Sequence, residues 1–491
     1  MSRLLIESGV HEARVALVEG SRVVEVQIED PIDRGSVGNV YKGRISKVLP
    51  GIEAAFVSIG LERDAFLYAG DIYGTDPAEE DLEGLASKTR HHRAIDELVS
   101  EGDELLVQVV KDALPSKGAR ITAQISVPGR FVVLLPGASG VGVSRRLSDS
   151  EERERLVSVL EACRPGGAGL IARTAAADRS MNEIQRDLDR LIQIWAEIER
   201  SSKAKKAPGL IYEEVSLPLR IIRDQLSEEL EEIQVDGKEI FNDLVAYLDE
   251  LDPKLRDRLS LFDKPGQLFD TAHVDTAIQK ALRGRVWLPS GGYIVINHTE
   301  ALVAIDINTG RFTGSGDIES TALKVNTEAA VEVARQVRFR DLGGIIVVDF
   351  IDMERPENRK EVLEALNVEL EKDHTRAQVS GMSQLGLVEV TRKRSRIDLI
   401  RRLTEPCRCC HGRGRLKAPK TVCLELRRSL LRHKEIQPDR PFHVLVHPQV
   451  AEAIEADQSS ILEEIETRIG APLELRREAS LKPDEFEIVL E

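Results

Sequence analysis

Hydrophobic and polar residues alternate along most of the first 125 positions, which is the pattern of half-buried β-strands. Residues 14–18 and 23–28 predict a hairpin, because a short polar segment separates two apolar runs. Further short strands are predicted over 39–48, 53–59, 105–110 and 120–125. An acidic stretch over 76–96 predicts a long loop. So many short strands in succession indicate a small β-barrel.

Helical spacing takes over in the next part of the chain. One helix is predicted over 149–163 and a longer one over 182–203. Apolar side chains recur on one side of the longer helix, which predicts core packing for Leu188, Leu191, Ile192, Trp195 and Ile198. The polar residues 201–208 predict a linker.

A second apolar hairpin is predicted over 293–297 and 301–307. A helix over 318–342 follows, with Gly343 after its end, and residues 345–349 then form a strand of the buried type. Pro356 is expected in the first turn of another helix. The last roughly 70 residues predict a small α/β unit.

Composition is that of a folded protein of several domains, with 491 residues, 42% hydrophobic and 31% charged. No apolar run approaches the roughly 20 residues that span a bilayer. The N-terminus lacks the apolar core of a signal peptide, so a cytoplasmic location is expected. A net charge of −16 argues against nonspecific binding of polyanions by the whole surface. A local basic patch over 392–434 is the exception, although a solvated helical face explains it equally well.

Two acidic residues end strongly apolar strands. Asp306 follows residues 302–305 and Asp349 follows 345–348, with one helix between the two strands. If the strands are neighbours, their carboxylates meet at one edge of the sheet, where a hard cation such as Mg²⁺ would relieve the repulsion. Asn308 would point to the same side as Asp306. Either acid alone is more often a turn or cap residue, but the pair with Asn308 favours a metal site; Asp352 is a spare carboxylate.

These residues carry a resemblance. Segments 304–308 and 340–353 resemble the catalytic motifs of the ribonuclease E/G family, and other segments match in order along almost the whole chain. The resemblance implies that Asp306 and Asp349 bind a catalytic Mg²⁺, that Asn308 supports the reaction, and that cleavage leaves a 5′-phosphate and a 3′-hydroxyl. It also implies a DNase I-like fold for this part of the chain.

Residues 39–43 and the segment as far as Leu67 resemble the family's S1 domain, a barrel of the OB type. The resemblance implies that Phe56 and Phe66 stack RNA bases and that Lys117 contacts RNA. On their own, the two phenylalanines would more often be core residues, and Lys117 would be an ordinary loop lysine.

Residues 169–174 resemble the family's 5′-sensor, which holds a terminal monophosphate. A guanidinium that forks onto phosphate oxygens suits that task. Arg173 and Thr174 match directly, and a further set matches supporting positions: Gly129, Val133, Arg145 and Arg376. As isolated residues, these arginines would be surface ion-pair partners.

Three of the five cysteines cluster at Cys407, Cys409 and Cys410, which in a cytosolic protein favours a metal over a disulfide. Residues 407–414 resemble the family's zinc link. Cys407 and Cys410 match its C-x-x-C pair, which is half of a tetrahedral Zn²⁺ site, so two chains sharing the ion form a homodimer. Cys409 departs from the pattern, and His411 is a further candidate ligand. A lone C-x-x-C is otherwise a redox pair or chance.

The expected fold is therefore a multidomain α/β protein. Its expected parts are an RNase H-like subdomain (1–34 and 213–281), an inserted S1 barrel (35–123), a 5′-sensor domain (124–212), a DNase I-like catalytic domain (282–404), a zinc link (405–417) and a small C-terminal α/β domain (418–491). No long C-terminal scaffold is expected after residue 491, so the chain is expected nearer to the shorter, ribonuclease G branch of the family. The family's small C-terminal domain pairs dimers into a homotetramer, and no motif after Lys417 bears on whether this chain does so.

The expected function is endonucleolytic cleavage of single-stranded RNA, favouring a 5′-monophosphate, in rRNA and tRNA processing and mRNA decay. A non-catalytic S1-type RNA-binding protein is the alternative, but it has no need of Asp306, Asn308 and Asp349. A zinc-organised assembly protein is a weaker third hypothesis, since it leaves the strand-end acids unexplained.

Overall fold

Five β-sheets organise the described part of the chain. The computed structural model describes residues 2–30, 35–72, 82–83, 94–113, 117–225, 230–251, 253–264, 266–311, 317–394, 396–436, 442–457, 459–470 and 472–490. The chain divides into two units, Met1–Ile400 and Arg401–Glu491. Among the described residues, none of the helices has the length and apolar character needed to cross a bilayer.

The strands are numbered along the chain. They are β1 (Ser2–Ser8), β2 (Ala13–Glu19), β3 (Arg22–Glu29), β4 (Val40–Leu49), β5 (Ala54–Ser58), β6 (Ala65–Tyr68), β7 (Leu82–Glu83), β8 (Glu104–Lys111), β9 (Arg120–Thr122), β10 (Val127–Pro128), β11 (Val132–Leu135), β12 (Gly140–Ser144), β13 (Gly169–Ala172), β14 (Gly209–Tyr212), β15 (Leu230–Asp236), β16 (Leu259–Leu261), β17 (Arg285–Trp287), β18 (Tyr293–His298), β19 (Leu302–Asn308), β20 (Gly344–Asp349), β21 (Ala377–Val379), β22 (Leu387–Arg392), β23 (Phe442–Val446), β24 (Leu475–Arg477) and β25 (Phe486–Leu490).

The α-helices are numbered in the same way. They are α1 (Ile95–Leu98), α2 (Ser150–Cys163), α3 (Met181–Ala204), α4 (Leu217–Gln225), α5 (Lys238–Leu251), α6 (Leu268–Thr271), α7 (Val274–Ala281), α8 (Ile318–Phe339), α9 (Pro356–Leu370), α10 (Leu399–Leu403), α11 (Pro419–Ile436), α12 (Pro448–Asp457) and α13 (Ser459–Ile469). Short 3₁₀ helices lie at Pro50–Ile52, Ala69–Asp71, Thr174–Ala176 and Pro253–Arg258.

A closed barrel is formed by β4, β5, β6, β9 and β8, with β8 pairing back to β4. Apolar side chains fill its interior, among them Ile45, Val57, Leu67 and Ile121. The barrel predicted from the alternating pattern is therefore confirmed, and it is of the kind expected for an S1-like subdomain. Of the loop predicted over 76–96, residues 76–81 and 84–93 lie outside the described residues.

The first hairpin belongs to a mixed sheet in the order β16-β15-β1-β2-β3. β1, β2 and β3 are antiparallel neighbours, which confirms the hairpin predicted over 14–28. β15 runs parallel to β1, and β16 runs parallel to β15, although the barrel and the next sheet lie between β3 and β15 in the sequence. The helices α4 and α5 supply the other half of this core, including Ile221, Ile222 and Leu244.

A third sheet has the order β10-β11-β13-β12-β7 and carries α2 and α3. Asp149 caps α2, and Ser180 and Glu183 form a capping box at the start of α3, so both predicted helices begin where polar side chains satisfy free N–H groups. The apolar stripe predicted on α3 is buried at Leu188, Leu191 and Ile198 and half-buried at Ile192 and Trp195. The linker predicted over 201–208 is wrong in its first half, because α3 continues to Ala204.

The fourth sheet has the order β17-β18-β19-β20-β22-β21. β18 and β19 form the predicted hairpin, and β19 and β20 are parallel neighbours joined by α8. The helices α8 and α9 pack on one face, where Ile305, Val333 and Val348 are buried. The opposite face carries the outward-pointing side chains of every strand, because successive residues of a strand alternate between faces.

In the second unit, α11, α12 and α13 pack on a three-stranded sheet in the order β24-β23-β25. Val422, Leu426 and Leu430 of α11 meet Val444 and Val446 of β23 in its core. The small α/β unit predicted for the end of the chain is confirmed.

Candidate functional site

Asp306 and Asp349 occupy the same row of the fourth sheet. β19 and β20 pair in parallel with Asp306 opposite Asp349. The neighbours Ile305 and Val348 point into the core under α8, so both carboxylates leave the opposite, exposed face. The convergence that the strand-end pattern predicts is therefore present in the fold.

Asn308 joins this pair. It lies two residues beyond Asp306 on the same face, and its Nδ2 donates a hydrogen bond to Asp306 Oδ2 over 2.6 Å. That bond fixes the orientation of the Asp306 carboxylate and leaves its other oxygen, Oδ1, available to a metal ion. Residues that hydrogen-bond to a metal ligand commonly orient it in this way.

A third carboxylate, that of Asp352, adds negative charge to the site. Burial, followed by the negative charges of Asp306 and Asp352, raises the pKa of Asp349 above its ordinary value. A cation held between Asp306 and Asp349 would relieve this repulsion. Among the described residues, groups of three or more His, Cys, Asp or Glu side chains arranged around one metal position are absent. Mg²⁺ usually binds one or two carboxylates and completes its shell with water and phosphate oxygens, so the pair fits that ion.

The backbone after Asp349 is anchored to α8 by a buried asparagine. Asn326 Nδ2 donates to the carbonyl oxygen of Ile351 over 2.8 Å, and the Ile351 N–H donates to Asn326 Oδ1 over 3.0 Å. Asn326 is fully buried, so both bonds are shielded from water. The helix that links the two acidic strands thus also holds the turn between Asp349 and Asp352.

Phe56 and Phe66 form an aromatic pair on the outside of the barrel. They are opposite each other in β5 and β6, with ring centroids 6.1 Å apart at an interplanar angle of 74°. Both rings are half-buried, whereas Val57 and Leu67 beside them are fully buried, so the alternation of the strands directs the phenylalanines outward. The two phenylalanines are therefore not core residues. The sequence without the family resemblance would have favoured a core position for both.

Basic side chains surround this pair. The two rings line a surface cavity of about 730 Å³ together with Lys117, Arg63 and Arg120. Gly118 places Lys117 there, because a Cβ at position 118 would lie only 1.9 Å from the carbonyl oxygen of Asp64. Arg63 and Arg120 were missed by sequence reasoning, and only the parallel pairing of β6 with β9 brings Arg120 beside Phe66.

Arg173 and Thr174 lie together where β13 ends. Arg173 Nη1 donates to the carbonyl oxygen of Gly129 over 2.5 Å and to Asp224 Oδ1 over 2.7 Å. The Thr174 hydroxyl lies 3.3 Å from the hydroxyl of Ser144. Asp224 was also missed by sequence reasoning, because it lies 51 residues from Arg173 and no local pattern joins them.

Gly129 is confined by a buried carboxylate. A Cβ at this position would lie 2.5 Å from Asp187 Oδ2, and Asp187 accepts N–H bonds from Phe131 over 2.7 Å and from Val132 over 3.1 Å. Val133 follows on β11, opposite Ile171 of β13. A side chain on Gly129 would therefore displace the acid that shapes this turn.

Arg145 and Arg376 approach the same region from separate elements. Both are exposed. The neighbouring Arg146 donates from Nη2 to the carbonyl oxygen of His374, so the segment after β12 lies against the segment before β21. This contact brings the segments that carry Arg145 and Arg376 together.

The cysteine segment forms a turn whose N–H groups point at sulfur. Backbone N–H groups of Cys410 and Cys409 lower the pKa of the Cys407 thiol, and the Gly414 N–H donates to Cys410 Sγ over 3.3 Å. Hydrogen bonds of this kind favour the thiolate, which is the form that binds zinc. The donor set thus fits two ligands of a Zn²⁺ site. The Nε2 atom of His411, a further candidate ligand, lies 3.5 Å from Lys482 Nζ.

The chain is similar in sequence to known proteins along its whole length. The family model of the Ribonuclease E/G family matches residues 126–395. Ribonuclease G of Escherichia coli (strain K12) is 41% identical over 491 residues, covering 100% of this chain and 99% of that protein. Ribonuclease G of Haemophilus influenzae is 42% identical over 489 residues, covering 99% of both. Ribonuclease E of Haemophilus influenzae is 35% identical over 491 residues, covering 99% of this chain and 52% of that protein.

Proposed function

Because this chain belongs to the ribonuclease E/G family and is an endoribonuclease, we propose that it cuts single-stranded RNA by Mg²⁺-assisted hydrolysis at the face that carries Asp306, Asn308 and Asp349. The observation that carries the proposal is the pairing of Asp306 with Asp349 across two parallel strands. A purely RNA-binding role would leave this pair without a task, and the relationship to enzymes decides against it.

In this mechanism the two carboxylates would hold the ion. Bound Mg²⁺ would neutralise charge on the scissile phosphate and make a bound water more acidic. Asn308 holds the Asp306 carboxylate in one orientation through its 2.6 Å hydrogen bond. Hydrolysis joins the water oxygen to phosphorus and breaks the bond from phosphorus to the 3′ oxygen, which takes up a proton. The products are then a 5′-phosphate and a 3′-hydroxyl.

The barrel and the sensor region are proposed to hold the substrate. Phe56 and Phe66 would stack bases, while Lys117 and its arginine neighbours track the phosphates. Arg173 and Thr174 would hold a 5′-monophosphate, and Gly129, Val133, Arg145 and Arg376 would shape or charge the pocket. The guanidinium of Arg173 already bridges two elements, so it is preorganised for a terminal phosphate.

The arrangement of the sheets supports an assignment of residues to domains. We assign residues 1–34 and 213–281 to an RNase H-like subdomain, 35–123 to an S1 domain, 124–212 to a 5′-sensor domain and 282–404 to a DNase I-like nuclease domain. The mixed order β16-β15-β1-β2-β3 and the closed barrel support the first two assignments. The position of the acidic pair on the fourth sheet supports the last.

The second unit is proposed to assemble the enzyme. Cys407 and Cys410 would supply two thiolates, and the same pair from a second chain would complete a tetrahedral Zn²⁺ site, giving a homodimer. Cys409 and His411 are the other candidate ligands in this link. Residues 418–491 would pair such dimers into a homotetramer. The enzyme would act in the cytoplasm on rRNA and tRNA precursors and on mRNA.

Cleavage of a short 5′-monophosphorylated single-stranded RNA tests the proposal. We expect cutting with Mg²⁺, none with EDTA, and none by the Asp306→Asn variant. Mapping the ends should find a 5′-phosphate on the downstream product. Cutting that persists in EDTA, or in both the Asp306→Asn and the Asp349→Asn variants, would overturn the metal mechanism.

A further inference from the structure

A cluster of one cation and two aromatic rings lies at the edge of the fourth sheet, which also carries Asp306 and Asp349. The ring centroids of Trp287 and Tyr293 are 5.3 Å apart at an interplanar angle of 64°. The guanidinium carbon of Arg285 lies 4.4 Å from the centre of the Tyr293 ring and 5.9 Å from that of Trp287. Trp287 is 59% exposed, an unusual state for so large an apolar side chain.

The cluster faces the same side as the acidic pair. β17 pairs with β18 so that Trp287 is opposite Tyr293, and β18 pairs with β19 so that Tyr293 is opposite Asn308. Ile294 next to Tyr293 is fully buried, so the alternation of β18 directs Tyr293 to the exposed face that also carries Asn308. Trp287, Tyr293 and Asn308 thus form one cross-strand row.

A second row runs beside the first. It consists of Arg285, Val295, Asp306 and Asp349, in that order across four neighbouring strands. Because neighbouring strands are about 4.8 Å apart, the backbone of Arg285 lies roughly 10 Å from that of Asp306. This spacing is short enough for adjacent nucleotides of one strand to reach both rows.

We propose that Arg285, Trp287 and Tyr293 form a stacking platform that seats a nucleobase of the RNA strand next to the scissile phosphate. The inference rests on the proposed nuclease function and adds a binding subsite to it. The Trp287 ring offers an open face for a base, while Tyr293 supports the ring from the side of Asn308. Arg285 adds positive charge beside an acidic site and therefore favours the polyanion on this edge.

Stacking on an aromatic face tolerates every base, because each base has a π-face. The platform therefore contributes to the affinity for RNA and fixes the position of the strand, but it does not distinguish one base from another. A base fixed here would hold the neighbouring phosphate near Asp306 and Asp349. Loss of the platform should weaken the binding of substrate more than it slows cleavage in the bound complex.

Intrinsic fluorescence tests the platform directly. The chain has two tryptophans, so Trp195→Phe leaves Trp287 as the sole reporter. With Asp306→Asn added to prevent cutting, a short 5′-hydroxyl single-stranded RNA should quench this emission. The same RNA with abasic positions should lose the quenching when the stacked base is the one removed. Emission that never responds to RNA would overturn the platform.

Kinetics supply the second test. Trp287→Ala should raise KM roughly 5- to 150-fold, the range that about 1–3 kcal/mol of base stacking gives, with kcat changed little. Trp287→Phe should recover most of the loss. Val368→Ala, which changes an exposed apolar residue of α9, is the matched control and should leave KM unchanged. An abasic position that no longer matters in Trp287→Ala identifies the stacked nucleotide.

Failure of the platform can be told apart from failure of the nuclease proposal. If the unmodified chain cuts RNA and Trp287→Ala cuts it with the same KM, the platform is wrong and the nuclease function stands. If the unmodified chain does not cut at all, the nuclease proposal fails whatever the fluorescence shows. Emission that changes with protein concentration in the absence of RNA would assign Trp287 to a contact between chains and would overturn the platform.

Discussion

Asp306 and Asp349 are direct neighbours across β19 and β20, and their side chains leave the sheet on the same exposed face. They are 43 positions apart in the sequence, with α8 as the connection. Two carboxylates in this position repel each other unless a proton or a cation intervenes. Much of what can be tested about this enzyme depends on that pair.

Removing one negative charge from the pair should abolish cleavage. Asp306→Asn or Asp349→Asn deletes a proposed Mg²⁺ ligand, and the lost charge stabilisation should slow cutting by more than about 100-fold. RNA affinity, measured by fluorescence anisotropy, should change little. Glu389→Gln is the control, because Glu389 is an exposed acid on β22 of the same sheet. Equal activity of the pair variants and the control would contradict the assignment.

The pH dependence of Mg²⁺ use should reflect the raised pKa of Asp349. A raised pKa means that this carboxyl keeps its proton to a higher pH than an ordinary aspartate, and the protonated form cannot bind the cation. At subsaturating Mg²⁺, cleavage should therefore fall on acidification from a higher pH than an ordinary aspartate predicts. Asp352→Asn removes one source of repulsion, so it should move this acidic limb to lower pH. A limb that moves to higher pH would contradict the electrostatic account.

Truncation of either barrel phenylalanine should weaken RNA binding. Phe56→Ala or Phe66→Ala removes a half-buried ring from the cavity that Lys117 and Arg120 also line, at a loss of about 1–3 kcal/mol of binding free energy. Val110→Ala is a suitable control, since Val110 is an exposed residue of β8 outside that cavity. Titration of a labelled oligonucleotide measures both, and a loss of equal size in the control would point to a general effect on the barrel.

Arg173→Ala should erase any preference for RNA with a 5′-monophosphate over RNA with a 5′-hydroxyl. The reason is the loss of the guanidinium that would bind the phosphate, and cutting of 5′-hydroxyl RNA should persist. Arg164→Ala, which removes a half-buried arginine that pairs with Glu161 at the end of α2, should keep the preference. Competition between the two RNAs in one reaction gives the ratio directly, and an unchanged ratio in Arg173→Ala removes this residue from the sensor.

Replacing Cys407 and Cys410 by serine should release zinc and separate the chains. Thiolates that accept N–H bonds are good zinc ligands, and serine hydroxyls are not. Zinc content by elemental analysis and mass by sedimentation check the two effects together. Cys163→Ser changes a cysteine of the first unit and should leave both unaffected. A double variant that stays dimeric would remove the shared ion from the assembly.

The acidic pair could be predicted from the sequence because its signal is local. Each acid ends an apolar strand, and two strands joined by a single crossover helix most often lie side by side in one sheet. The end of that helix was predicted less well. It was expected at Leu342 before Gly343, yet α8 ends at Phe339 and Asp341 takes the left-handed conformation with φ of 50°. Arg392 explains the difference, since its Nη1 donates to Asp341 Oδ1 over 2.6 Å from a distant strand.

The features that the sequence did not reveal depend on long-range pairing. Arg120 reaches the phenylalanine pair only through the parallel contact of β6 with β9. Trp287 and Tyr293 meet because β17 folds back on β18, and the short turn between them carries no chemical motif. The roles proposed for Lys117 and Arg173 rest on family resemblance, because an isolated lysine or arginine has no pattern that separates a ligand contact from a surface charge.

The two hydrogen bonds of buried Asn326 hold the backbone that follows Asp349 to the interior of the protein. Substitutions at the outer edge of the sheet, where Arg285 and Trp287 lie, can then alter how tightly RNA is held without moving this backbone. Chemistry and substrate affinity are thereby free to diverge separately, and a variant library confined to the edge strand is the place to seek an enzyme with altered RNA affinity and undiminished turnover.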